Sequence, residues 1–240
     1  MTDIADYKIV SFGDSFIFGS ELKNNTNGSK SWVGIIANQL NVNYQTFAVP
    51  GCGNDHIARQ LYSYFSNNSI DNTLAIINWT WACRWDFYIA SEYEKWITVG
   101  PSCVPKKLNW LKNDTKANNI IEFYNEYAGN SVLWNNFRNL QTILAVQSYI
   151  KEKNINVIQT FMDYELFDQT NIELVPDYIK ELQLLVRPYL EFFNENKNFI
   201  DWAKGQGFEI SNPGLHPLDE AHIHASKLWY DRYRTQLFKS

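Results

Sequence analysis

Leu74 to Thr80 read LAIINWT, an apolar run with almost no alternation between hydrophobic and polar residues. A strand with one wet face alternates; a run that does not is covered on both faces, as in the parallel sheet of an α/β fold. Similar runs recur along the chain: YKIVSF (7–12) ends at Gly13, YQTFAV (44–49) is stopped by Pro50 and Gly51, and NVIQTF spans 156–161. Helical patterns lie between them. Ser31 can cap a helix over Trp32–Leu40, and helical spacing joins Ile57, Leu61, Tyr64 and Phe65, then Leu133, Phe137, Leu140 and Leu144. Further helices are predicted over about 178–193 and 218–238, the last turning Leu218, Ala221, Ala225, Leu228 and Trp229 inward. Strands alternating with helices predict a three-layer α/β/α sandwich around a mainly parallel, flavodoxin-like sheet.

From about 84 to 130 the pattern is lost. This aromatic-rich stretch includes Trp85, Phe87, Tyr88, Trp96, Trp110, Phe123 and Tyr124, and is too long for a plain loop. It is expected to hold short helices, as a cap or insertion in one domain spanning 1–240. A net charge of -5 argues against nucleic acid or an anionic membrane as partner. The N-terminus lacks a signal-peptide pattern and no stretch suits a membrane span, so a cytoplasmic location is expected. Cys52, Cys83 and Cys103 are odd in number and match no metal spacing, in keeping with a reducing compartment.

In parallel sheets the functional site lies at the carboxyl ends of the strands. That directs attention to Gly13-Asp14-Ser15, Gly51-Cys52-Gly53-Asn54 and Trp79-Thr80. A serine between a buried strand and a helix presents its hydroxyl at the strand end, and its amide can join the positive helix terminus. Gly-Asp-Ser alone is equally a turn with a capping serine. His216, His222 and His224 are poor candidates for a metal site, since residues two apart on a helix point in different directions; no metal or cofactor is expected. His56 reads as a surface residue near a helix start. Arg84 suits either an anionic group on a substrate or an ion pair with Asp86 or Glu92.

The order of FGDSFIFG, SWVGIIANQL, FAVPGCGNDHIARQL, a strand and LHPLDEAHIHASKLW resembles the SGNH, or GDSL-like, hydrolase family. The resemblance runs from Ile9 to about Tyr230 in short islands, and leaves 84–130 uncovered. It implies that Ser15 is the nucleophile, that His216, followed by Pro217, is its general base, and that Gly51 supplies an oxyanion-hole amide together with that of Ser15.

Two positions depart from the family pattern. The aspartate usually found three residues before the histidine is replaced by Pro213. Either a backbone carbonyl or a carboxylate from a distant segment is then expected to hold His216 Nδ1. Asp219 and His222 have the Asp-x-x-His spacing, but fall inside the last helix, where Asp219 and Glu220 suit the helix dipole. The family's block-III asparagine is also missing; Asn78 sits too early, and Thr80 is expected as the substitute oxyanion donor. The resemblance implies a serine esterase that hydrolyses a small acyl ester through an acyl-enzyme, with O-acetyl on a glycan as one substrate. An acyltransferase and a non-catalytic glycan- or partner-binding domain remain as alternatives.

Overall fold

The computed structural model describes residues 7–89, 95–101, 115–129, 131–167 and 175–233. Its central sheet comprises β1 (Lys8–Phe12), β2 (Asn43–Thr46), β3 (Thr73–Trp79) and, later in the chain, β6 (Asn156–Phe161). They stand in the order β2-β1-β3-β6, with every neighbouring pair parallel. This is the three-layer α/β arrangement with a mainly parallel sheet that the apolar runs predict.

Alternate residues of each strand feed opposite layers. Ile9, Leu74 and Ile76 pack with α2 (Trp32–Leu40), α7 (Phe199–Gly205) and α8 (Asp219–Tyr233). Val10, Phe12, Ala75, Ile77 and Trp79 pack with α3 (Asn54–Asn67), α5 (Val132–Lys153) and α6 (Asp177–Val186). All seven residues of β3 are buried, which explains its missing alternation. The first layer is rich in rings: Trp32 and Trp229 stack with centroids 5.5 Å apart, and Phe193 meets Trp229 edge to face at 5.3 Å.

Some boundaries differ from expectation. β2 ends at Thr46, although Phe47 and Val49 still donate to Ser11 and Gly13 carbonyls and carry the pairing onward. α6 stops at Val186 because Pro188 cannot continue an α-helix; a single 3₁₀ turn, Arg187–Tyr189, takes over. The end expected for the last helix, 234–238, lies outside the described residues.

The 84–130 stretch is not simply short helices. It contains an antiparallel hairpin, β4 (Trp85–Ile89) with β5 (Lys95–Val99), then α4 (Thr115–Phe123) and a π-helical turn, Tyr124–Ala128. Ile89, Ile97, Val99, Ala117 and Tyr124 form its own small core. The hairpin is joined to the sandwich through Asp86. Its carboxylate accepts from the amides of Gly53 (3.2 Å) and His56 (2.7 Å), capping α3, whose N-cap glycine has no side chain to do so. Trp110 and Cys103 lie outside the described residues.

Candidate active site

β1 runs into a short helix, α1 (Ser15–Phe18), through Asp14. Asp14 caps it, its Oδ1 accepting from the Phe16 amide at 3.0 Å. Its other oxygen accepts from Thr80 Oγ1 at 2.5 Å and Arg84 Nη1 at 2.7 Å. Asp14 is fully buried and Arg84 nearly so. The same Arg84 nitrogen also donates to Thr80 Oγ1 (2.7 Å) and the Cys52 carbonyl (3.4 Å). One guanidinium therefore ties the ends of β1 and β3 to the turn after β2, around the point where the strand order reverses. Arg84 pairs with Asp14, not with Asp86, and is buried among protein acceptors; Glu92 lies outside the described residues.

Ser15 opens α1, and its Oγ makes no hydrogen bond to other described residues. Val49 to Cys52 form a tight turn closed by the Cys52 amide on the Val49 carbonyl at 3.1 Å. Pro50 occupies its second position, and Gly51, at φ +82°, the third, where glycine is favoured. Neither the Ser15 nor the Gly51 amide is taken by an acceptor among the described residues. Two N–H groups without an acceptor among the described residues thus lie in the turns after β1 and β2, which the Val49 amide joins by donating to the Gly13 carbonyl at 2.9 Å.

Thr80 requires a correction. Its hydroxyl proton is committed to Asp14 and its amide to Asn54 Oδ1 at 2.8 Å, so neither is left for an oxyanion. Asn54 is fully buried and also donates to the Thr80 carbonyl (3.2 Å) and Asn139 Oδ1 (2.7 Å). This pair braces the end of β3. Asn78 Oδ1 accepts from Thr160 Oγ1 at 2.8 Å, placing it in the strand interior.

His216 lies over the turn carrying Ser15, its ring 5.0 Å from that of Phe16. Its Nδ1 is 3.0 Å from Glu21 Oε2, in the segment after α1. A donor Nδ1–H leaves Nε2 unprotonated, the form a general base needs. Of the two expected partners for Nδ1, the structure has the distant carboxylate and not a backbone carbonyl. The neighbouring Ser211 and His216 side chains hold the Glu21 carboxyl below its ordinary range. Glu21 was not identifiable beforehand, because a lone Glu six residues past a serine carries no pattern.

The other histidines point elsewhere. His222 is buried, and its Nδ1 accepts the Trp32 amide at 3.0 Å, satisfying the first N–H of α2. Burial pushes its pKa down to about 3. His224 packs on Phe208, with ring centroids 4.9 Å apart. His56 is half-buried beside Arg59 rather than on the surface, 3.3 Å from Arg59 Nη2.

No family model matches the sequence, and no curated protein matches it. Solved structures do. The esterase EstA from Pseudoalteromonas sp., in a structure inhibited by monoethylphosphonate, aligns with a TM-score of 0.54 at 12% identity, covering 97% of this chain and 99% of that one. TesA aligns with a TM-score of 0.52 at 12% identity, over 95% and 98% of the two chains. A lipolytic protein of the G-D-S-L family from Veillonella parvula aligns at 0.50 and 12% identity, over 95% and 98%. Such low identity speaks to architecture, and here the likeness spans nearly the whole of each chain. The chain has the fold of the SGNH/GDSL hydrolases.

Proposed function

We propose that this chain is a serine ester hydrolase acting on a small acyl ester through an acyl-enzyme. One observation carries the reading: a serine whose hydroxyl and amide have no partner among the described residues opens a helix, with an imidazole beside the same turn. His216 Nε2 takes the Ser15 proton as Oγ attacks the ester carbonyl. The tetrahedral oxyanion accepts from the Ser15 and Gly51 amides, each such donor contributing about 3 kcal/mol to the transition state. His216 then gives its proton to the leaving alkoxide, and the acyl group stays on Ser15. Water repeats the cycle and releases the acid.

The alcohol side of the ester has a candidate platform. Tyr88 and Trp96 are exposed on the hairpin, with ring centroids 5.3 Å apart; the Arg59 guanidinium covers one face of Trp96 at 3.4 Å, and Asp86 ties the hairpin to Gly53 beside the Gly51 turn. Aromatic faces suit sugar rings, which supports an O-acetylated glycan as substrate.

Turnover of p-nitrophenyl acetate tests the reading. Ser15→Ala should lower kcat by several orders of magnitude with the fold intact; undiminished turnover would overturn it. Acyl transfer to an added sugar exceeding release of free acid would identify a transferase instead.

A further inference from the structure

We infer that Glu21 is the positioning carboxylate for His216, reaching the imidazole from the nucleophile's side of the site in place of the missing aspartate at Pro213. This rests on the serine-hydrolase reading above. Two contacts fix His216. Glu21 Oε2 lies 3.0 Å from its Nδ1, and its amide donates to Ser211 Oγ at 2.9 Å. The carboxylate thus orients the ring while the loop's own serine holds the backbone that carries it.

Each side of the contact is built for it. Asn25 Nδ2 donates to the carbonyls of Phe18 (2.7 Å) and Gly19 (2.9 Å), bracing the segment that carries Glu21. Glu21 sits at φ +68° and Leu215 at φ +58°, a left-handed backbone that non-glycine residues adopt at a cost and that clusters at functional sites. On the opposite strand of the loop, Gly214 leaves the carboxylate its space: a Cβ there would lie 2.3 Å from both Glu21 oxygens. Pro213 removes the usual acid, and Gly214 admits another.

The chemical consequence follows from proton position. Glu21 holds the proton on Nδ1, keeps Nε2 free to accept from Ser15, and stabilises the imidazolium formed during attack. Loss of a buried acid in this role lowers kcat by about 10⁴-fold. The Glu21 side chain is 43% exposed, so solvent screens it and the loss should be smaller.

The test measures kcat and KM for p-nitrophenyl acetate in the parent, Glu21→Gln, Glu21→Ala, Gly214→Ala and the E21A/G214A double variant. Glu21→Gln and Glu21→Ala should each lower kcat at least about thirtyfold with KM little changed. Gly214→Ala, which removes no atom, should displace the carboxylate and lower kcat about tenfold or more. That effect should vanish in the E21A background, where the space is open. A smaller loss in E21Q and E21A, or a Gly214→Ala effect equal in both backgrounds, overturns the assignment. Ser15→Ala separates the two levels: an inactive S15A beside an active E21Q refutes Glu21 alone, whereas an active S15A refutes the serine mechanism.

Discussion

Arg84→Met removes the cation from a fully buried carboxylate. Asp14 is 0% exposed and Arg84 Nη1 lies 2.7 Å from its Oδ2. Breaking a buried ion pair from one side costs about 3–5 kcal/mol, because it strands the other charge. Two donors remain to Asp14, the Phe16 amide and the Thr80 hydroxyl, so the lower end, about 3 kcal/mol, is expected. At about 2–4 °C per kcal/mol for a chain of this size, Tm should fall by about 6–12 °C. Thermal unfolding followed by circular dichroism measures it. The D14N/R84M double variant, which neutralises both partners, should be more stable than R84M alone, with a coupling of about 1–3 kcal/mol. Esterase activity should fall in R84M as well, since Asp14 caps the turn carrying Ser15. A Tm within 2 °C of the parent, or strict additivity in the double variant, would refute the claim that this pair holds the turn.

Thr80→Val deletes a hydroxyl bonded to Asp14 and should lower stability by about 1.5–3 kcal/mol while changing kcat less than tenfold. A loss of 10²–10³ in kcat, the size expected for an oxyanion donor, would return Thr80 to that role. His222 makes stability acid-sensitive. Its folded pKa, pushed by burial to about 3, lies below its ordinary value of 6.5, so the unfolded chain takes up a proton that the native chain refuses. The stability is complete above pH 6.5 and is lost as pH falls toward 3, by about 1.4 kcal/mol per unit from this group. Denaturant titrations from pH 7 to 4 should show a shallower decline in His222→Ala, which is also less stable at pH 7. Equal slopes would refute the assignment.

The strands could be read in advance because a parallel sheet buries both faces, and β3 carries that mark in consecutive apolar residues. Ser15, Gly51 and His216 fall at strand ends or before a helix, where position along the chain and residue type agree. The hairpin of 85–99 was missed, although Phe87, Ile89, Ile97 and Val99 alternate, because the surrounding aromatics mask the period. Asp14–Arg84 and Glu21–His216 were beyond reach for a different reason. The first pair is 70 residues apart and the second 195, and nothing local marks their meeting. Thr80 was expected at the oxyanion because the family's block-III asparagine slot falls on it, a register that gives location and not the direction of a hydroxyl already claimed by Asp14.

Covalent labelling tests the central claim most directly. The folded chain is incubated with a p-nitrophenyl alkylphosphonate, and intact mass and peptide mapping follow the adduct. Attack by Ser15 Oγ on phosphorus forms an Oγ–P bond, expels p-nitrophenolate and leaves one alkylphosphonyl group on Ser15. The account predicts a single adduct on the peptide containing Ser15, formed far more slowly in His216→Ala and absent in Ser15→Ala. An unmodified Ser15 in a folded chain that still hydrolyses p-nitrophenyl acetate would contradict it.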